Sequence, residues 1–413
     1  MTVAIVTIGS QGDIVPFLAL ALGLKRHGHE VRIAAFDRFR SVVERHGFAF
    51  SPLSGDADEV IRTLIGMNVG PVRYFRGLDR MMETWGDRLL RDVSAACGNA
   101  DAVVYSLLGS VAWHMAEKAG IRAFRAFPCP LDPTPTFPAM TAPRLPLGGP
   151  YNLLTYGAGD LLWGRATKKH LAGWRASMGL PALRGTGFPY RSLRGKPVPT
   201  LYMFSPSVLP APAGWQPHHH VTGYWFLDES GGWRAPAGLQ GFLEKGEPPL
   251  YVGFGSMLGG SFRQALETIV SSLKRTGRRA VLSSGWGNLA QADLPDFVHK
   301  ADYVPHDWLF PRVSAVIHHG GAGTTAAGLR AGRPTLVVPF GGDQPFWGSV
   351  VHGLGVGPRP ISRSRLSVER LSDAIAVMTG DAGMSARAAE LAARIGGEDG
   401  VGNAVRIIEA GTP

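Results

Sequence analysis

Along its first fifty residues the chain alternates short apolar runs with stretches of helical period. Val3 to Ile8 reads as a strand, about Pro16 to His27 as a helix closed by Gly28, Val31 to Ala35 as a strand, Phe39 to His46 as a helix closed by Gly47, and Phe48 to Pro52 as extended chain. Strands separated by helices predict a parallel, doubly wound sheet. Ala102 to Tyr105, Ser110 to Ala119 and Ala123 to Phe127 continue the alternation, and the prolines between Pro128 and Pro150 read as a long surface loop. Leu201 to Phe204 closes this half, and Pro206 to Pro217 reads as a linker. The second half repeats the pattern. Its strands are expected at Val221 to Phe226, Leu250 to Phe254, Ala280 to Ser283, Ala315 to Ile317 and Thr335 to Val338, and its helices at Leu239 to Lys245, Phe262 to Arg275, Thr324 to Ala331 and Val368 to Met378. The expected fold is therefore α/β, with two Rossmann-like doubly wound parallel-sheet domains facing a cleft. We expect residues 1–215 to form the first, 216–395 the second, and 396–413 a C-terminal helix that packs back on the first.

With 413 residues the chain is long enough for two cores. Its 42 Lys and Arg against 32 Asp and Glu give a net charge of +10, but the basic residues are scattered and no basic ladder interleaved with aromatics appears, which argues against nucleic acid. A peripheral attraction to anionic lipid is compatible with that charge. No apolar run reaches the ~18 residues that a membrane span needs, and the opening MTVAIVTIGSQGD lacks a basic n-region and a cleavage site. The expected location is cytoplasmic. Two cysteines, Cys97 and Cys129, are too few for a disulfide framework or a cysteine-based zinc site.

The stretch Ala315 to Trp347, AVIHHGGAGTTAAGLRAGRPTLVVPFGGDQPFW, carries the most chemistry. An apolar strand ends at His318-His319, and Gly320, Gly321 and Gly323 allow a tight turn into a helix opened by Thr324 and Thr325. Free amides and the positive end of the helix dipole at such a terminus attract a phosphate or diphosphate. His319 adds a donor beside the turn, whereas His318 reads as packing. The next strand's exit loop delivers Asp343 and Gln344, a polar pair suited to sugar hydroxyls, although an Asx-type turn before Pro345 would use the same residues. Asp13 follows a glycine turn after the first strand, and its spacing fits a general base and a helix N-cap equally. Should Asp13 be a cap, His114 is the next candidate base. Other signals are weaker. His218 to His220 reads as a solvated hinge because no partner ligands stand at metal spacing, and Asp56-Ala57-Asp58 lies in an early loop, so no metal is expected. Met67, Tyr74, Phe75, Met81, Met82 and Trp85 form a stripe that fits a helical core and an adaptable apolar acceptor pocket alike.

On these residues the chain resembles the GT-B-fold family 1 glycosyltransferases, especially the branch of sterol 3-beta-glucosyltransferases and bacterial antibiotic glycosyltransferases. The likeness covers nearly the whole chain: TIGSQGDIVPFLALALGLKRHGHEV is similar to that branch's N-terminal signature, VTGYW at Val221 to Trp225 to its entry into the second domain, and VPHDWLFPRVSAVIHHGGAGTTAAGLRAGRPTLVVPFGGDQPFW is its most specific match. The resemblance implies that Tyr303 and Val304 contact the base of a UDP-sugar, that Ser256, His319, Gly321, Gly323 and Thr324 hold its diphosphate, and that Asp343 and Gln344 hold sugar hydroxyls. Asp13 matches the family's general base. Met67, Phe75, Met82, Trp85 and, in the proline-crowded loop, Phe137 are the candidate acceptor contacts. Plant-type relatives carry a ribose-binding glutamate on the diphosphate helix, and Thr325-Ala326-Ala327 stands here without a carboxylate, which leaves UDP and dTDP both open.

The expected reaction is inverting, metal-independent transfer of a hexose, glucose from UDP-glucose, to a hydroxyl of a flat lipophilic acceptor such as a sterol, with the nucleotide sugar as co-substrate and no cofactor. The alternative acceptor is an antibiotic or other polycyclic natural product with a dTDP-sugar donor. A sugar-nucleotide epimerase would not need the aromatic, proline-rich insert from Phe124 to Trp174, and a nicotinamide dehydrogenase would need a third glycine after Gly9 and Gly12. A non-catalytic lipid-binding module would have no use for Asp13, His319 and Asp343-Gln344 together.

Overall fold

The computed structural model describes residues 1–60, 63–64, 71–140, 142–183, 185, 187–254, 262–283 and 294–411. They form two compact units, the first made of Met1–Leu227 with Asp399–Pro413 and the second of Asp228–Glu398.

The first unit runs β1 (Thr2–Val6), α1 (Gln11–Arg26), β2 (Glu30–Phe36), α2 (Arg40–Arg45), β3 (Ala49–Leu53), α3 (Ala57–Val60), α4 (Pro71–Cys97), β4 (Ala102–Tyr105), α5 (Val111–Ala119), β5 (Arg122–Phe127), α6 (Gly148–Ser177), a hairpin of β6 (Ser192–Leu193) and β7 (Lys196–Pro197), β8 (Thr200–Tyr202) and β9 (His219–Val221). Seven strands pair in the order β3-β2-β1-β4-β5-β8-β9, all in parallel. Continuous Val, Ile and Ala runs such as Val3 to Val6 are buried on both faces, as a sheet covered by helices on each side requires.

The second unit contributes α7 (Ala237–Glu244), β10 (Leu250–Gly253), α8 (Phe262–Thr276), β11 (Ala280–Ser283), β12 (Val298–Ala301), α9 (His306–Leu309), β13 (Ala315–His318), α10 (Ala322–Arg330), β14 (Thr335–Val337), α11 (Gln344–Gly353), α12 (Val368–Gly380) and α13 (Ala382–Gly396). Its strands pair in the order β12-β11-β10-β13-β14, again all parallel. The last helix, α14 (Gly400–Ala410), packs against α1 in the first unit, with Val401 and Val405 closing on Gly23.

Several elements differ from the sequence expectation for identifiable reasons. α1 begins at Gln11 and not near Pro16, because Ser10 is its N-cap; Pro16 lies inside the helix, where its missing N–H leaves the Gly12 carbonyl without an i+4 donor. The extended chain near Val221 is His219–Val221, and it pairs with β8 of the first sheet instead of opening the second unit. β12 has the composition VHKA, too polar to read as a strand, and it is the edge of its sheet. α6 spans 30 residues out of a glycine-rich stretch that shows little helical period; packing of Tyr156, Trp163, Leu171 and Trp174 into the core decides it.

Most of the buried charge in the first unit centres on Asp132, which the sequence did not single out. Arg125 grips its carboxylate with two bonds of 3.0 Å, the Tyr202 hydroxyl donates at 2.7 Å, and His219 Nε2 lies at 3.3 Å. Burial works against this charge, yet the Arg125 guanidinium, His219 and Tyr202 hold the Asp132 carboxyl well below the usual carboxylate range. Trp215 stacks on Tyr202 at 4.2 Å and donates to the Asp132 carbonyl, which fixes the start of the proline-rich segment on the sheet. His219 is therefore no solvated hinge residue: a carboxylate far away in sequence is its partner.

Candidate functional site

In both sheets the chain winds outward in opposite directions from the two central strands, β1 and β4 in one and β10 and β13 in the other. Open α/β sheets bind ligands outside the carboxyl ends of the strands at this reversal. The loop carrying Asp13 follows β1, and the glycine turn carrying His319 follows β13, so each candidate loop occupies that position in its own unit.

In the first loop, Asp13 is the third residue of α1 and not its N-cap. Its Oδ2 accepts the Ser10 backbone N–H at 2.6 Å and the Ser10 hydroxyl at 2.9 Å, while the Thr7 hydroxyl donates to the Asp13 carbonyl at 2.9 Å. A carboxylate reaching back to the N-cap backbone is one half of a capping box. Gly9 makes the fold-back possible: its φ is +155°, and a Cβ there would lie 2.2 Å from Asp13 Oδ2. The side chain is partly buried, and burial raises its proton affinity above the ordinary carboxylate value while the two Ser10 hydrogen bonds oppose the shift. Asp13 thus has one carboxylate oxygen engaged by Ser10 and a raised affinity for a proton, which suits a base. His114, the other candidate base, is fully buried, with Nδ1 3.2 Å from Arg175 and burial pushing it down to about 3. It is sealed in the core and cannot serve.

In the second loop, His318 ends β13 in register with Gly253 and accepts the Gly320 N–H on Nδ1 at 3.0 Å, a packing role. Gly320 has φ +97°, and a Cβ there would meet Val337 Cγ1 at 2.5 Å and Gln344 Cβ at 3.1 Å, so the turn lies directly on the start of α11. Gly321 caps α10, whose first intrahelical bond runs from Thr325 N to the Gly321 carbonyl at 2.9 Å. The amides of Ala322, Gly323 and Thr324 precede that bond, no acidic residue stands in the first turn, and a Cβ at Gly323 would meet nothing within 4 Å. His319 lays Nε2 over this turn, 2.6 Å from where a Gly321 Cβ would be. Burial pushes its imidazole down to about 4, opposed by the Gly253 carbonyl, and His306 is likewise pushed down to about 4 by burial. Neutral donors and an uncompensated helix terminus leave room for a diphosphate.

Asp343 caps α11 and accepts Trp347 Nε1 at 3.0 Å. Gln344 is buried, and its Oε1 holds the loop by accepting Phe340 N at 2.7 Å and Gly341 N at 3.1 Å. Tyr303 exposes its ring while its hydroxyl donates to Glu229, and Val304 packs its side chain against the Tyr251, Leu309 and Phe310 cluster. Ser256 and Met67 lie outside the described residues. On α4, Phe75 is core, edge-on to Tyr74 at 5.2 Å, while Met82 and Trp85 are half-buried at the core's margin. Phe137 is half-buried in the segment behind Asp132. Asp56 caps α3 through Asp58 N and Glu59 N, and Asp58 pairs with Arg38 at 2.7 Å.

Comparison with known proteins bears on both loops. Residues 3–138 match the model of the glycosyltransferase family 28 N-terminal domain, and residues 284–405 match the erythromycin biosynthesis protein CIII-like C-terminal domain. A sterol 3-beta-glucosyltransferase of Aspergillus fumigatus is 36% identical over 422 residues, covering 99% of this chain; the chain spans only 30% of that relative's length. Among solved structures, the glycosyltransferase SnogD from Streptomyces nogalater is 23% identical with a TM-score of 0.66, covering 99% of each chain. SsfS6 from Streptomyces sp. SF2575, complexed with thymidine diphosphate, is 20% identical with a TM-score of 0.67, also covering 99% of each chain. The chain thus joins a glycosyltransferase family 28 N-terminal domain to an erythromycin biosynthesis protein CIII-like C-terminal domain, has the GT-B fold of these solved glycosyltransferases, and is similar along nearly its whole length to part of the sterol 3-beta-glucosyltransferases.

Proposed function

We propose that the protein transfers glucose from UDP-glucose to a hydroxyl of a flat lipophilic acceptor such as a sterol, with inversion and without a metal. The observation that carries the reading is the difference between two loops, each at the reversal point of its own sheet: a carboxylate of raised proton affinity after β1, and an acid-free helix N-terminus with a neutral histidine after β13. In the step we envisage, Asp13 takes the proton of the acceptor hydroxyl as its oxygen bonds to the anomeric carbon. The bond from that carbon to the diphosphate oxygen breaks on the opposite face, and UDP leaves with the electron pair. First-turn amides of α10 and His319 Nε2 carry the growing charge, Tyr303 offers its exposed ring to the base, and Asp343 and Gln344 contact sugar hydroxyls. Met82, Trp85 and Phe137, with Met67, are the proposed acceptor contacts, backed by Phe75.

A dTDP-sugar and a polycyclic natural product remain the second reading, because Thr325-Ala326-Ala327 offers no carboxylate to a ribose hydroxyl. The protein incubated with UDP-glucose and with a dTDP-sugar, each against a panel of sterols, polycyclic aglycones and free amino sugars, separates these by product mass and anomeric configuration. A β-configured steryl glucoside formed in the presence of EDTA is expected. A retained configuration, a magnesium requirement or a preference for amino sugars would overturn the reading.

A further inference from the structure

The surface of α6 carries a feature that glycosyl transfer does not use. Eight large hydrophobic residues are exposed among the described residues, and five of them lie between positions 145 and 161: Leu145 (48% exposed), Leu147 (61%), Leu153 (46%), Leu154 (69%) and Leu161 (41%). Leu154, Ala158, Leu161, Arg165 and Lys168 recur at alternating intervals of four and three, so they form one stripe along the exposed side of the helix, opposite the buried Tyr156, Trp163 and Trp174. The stripe is apolar for its first turns and basic thereafter, where exposed Arg165, Lys168 and Lys169 follow in quick succession. The one acid in the helix, Asp160, is turned aside and committed to Arg191 by bonds of 2.5 and 3.0 Å. No helix among the described residues is long and apolar enough to cross a membrane.

Soluble surfaces scatter their exposed leucines, and a cluster on one edge marks something that covers it. We propose that this edge is a docking surface for an anionic lipid bilayer, with the leucines of the 145–161 segment entering the acyl boundary and Arg165, Lys168 and Lys169 lying against the headgroups. An apolar tip with a basic collar is the pattern of helices that lie in a membrane interface. A second copy of the chain is a poorer occupant: the exposed stripe carries no acidic residue that could pair with the Arg165, Lys168 and Lys169 of another copy. An acceptor delivered from a bilayer would reach the enzyme at this edge, but the proposal stands on the patch itself, and its test uses neither donor nor acceptor.

Co-sedimentation of the full chain with phosphatidylcholine vesicles, with and without about 30% phosphatidylglycerol, is the test. The protein is expected to pellet with the anionic vesicles and to be released by salt. Leu154→Ser/Leu161→Ser, and separately Leu145→Ser/Leu147→Ser in the preceding loop, should each lower the partition coefficient by about tenfold or more. Lys168→Glu/Lys169→Glu should abolish the preference for anionic vesicles. Because these positions are exposed, each variant should keep the parent's melting temperature, and the loop variant serves if the helix variant does not. A parent that stays in the supernatant, or leucine variants that pellet as the parent does, would overturn the proposal. So would light scattering that shows a dimeric parent and monomeric leucine variants, which would make the patch a contact between copies.

Discussion

The loop after β1 and the turn after β13 each follow one of the two central strands at which a sheet's order reverses, β1 beside β4 in the first and β13 beside β10 in the second, and they have opposite chemistry. Each leads from a central strand through glycines into a helix whose first amides have no intrahelical partner. In the first, Asp13 folds back over Gly9 and binds the N-cap residue Ser10, so the negative charge that a helix start attracts is supplied by the chain itself. In the second, Gly321, Ala322, Gly323 and Thr324 bring no acid, and His319 lies neutral above them. One terminus is supplied with a carboxylate by its own chain, and the other has none, which is the difference that the proposed roles of proton acceptor and diphosphate cradle rest on.

The largest expected effect breaks the first loop alone. Asp13→Asn keeps the shape of the carboxylate and removes its basicity, so kcat should fall by ~10² to 10⁴ in a steady-state assay while the protein stays folded. Turnover within a few-fold of the parent would leave Asp13 as a helix-capping residue. The same substitution made in both loops sharpens the contrast. Gly9→Ala puts a methyl 2.2 Å from Asp13 Oδ2 and should lower kcat on the order of 10- to 100-fold. Gly321→Ala puts one 2.6 Å from His319 Nε2 and should instead raise the UDP dissociation constant about tenfold. If both substitutions changed the same parameter, the two loops would not have separate tasks.

Proton linkage distinguishes the loops as well. Because burial raises Asp13's proton affinity, the base form is lost at a higher pH than for an ordinary carboxylate, and the acid limb of kcat/KM should lie above the usual carboxylate range and vanish in Asp13→Asn. Histidines act on stability in the other direction. His114 is held near 3 and His306 and His319 near 4 in the folded chain, against about 6.5 when unfolded. Below that value the unfolded chain takes up protons that the folded chain refuses, so stability should decline as pH falls from about 6.5 to 4, by about 1 kcal/mol per pH unit for fully buried His114. Thermal melts across that window check this; a flat melting temperature would mean that these imidazoles are hydrated. The smallest effect concerns the acceptor: Met82→Ser should raise the acceptor KM about fivefold and leave the donor KM alone, whereas a variant that merely melts earlier would make Met82 core.

Strands and the glycine turn were legible because their signals are local. Buried parallel strands are unbroken apolar runs, and Ala315 to Ile317 followed by His-His-Gly-Gly can hardly be anything but a strand running into a turn. The start of α1 was harder, since Pro16 is a stronger visible marker than Ser10 and only the Ser10–Asp13 contact decides between them. Asp132 was invisible because Arg125, Tyr202 and His219 reach it from three strands, two of them about 70 to 90 positions away. α6 was hidden by its glycines, and its tryptophans read as an insert until the core they fill is known. Position 344 looks the same in sequence whether Gln344 meets a sugar or, as its Oε1 does, the amides of its own loop.

Calorimetric titration of UDP into the parent, Asp13→Asn and His319→Ala tests the separation of tasks most directly. Asp13→Asn should bind UDP within about twofold of the parent, and His319→Ala about tenfold more weakly, each with an unchanged melting temperature. Equal affinity in His319→Ala, or a loss of UDP binding in Asp13→Asn, would contradict the assignment of the donor to the α10 turn and of the proton to the loop after β1.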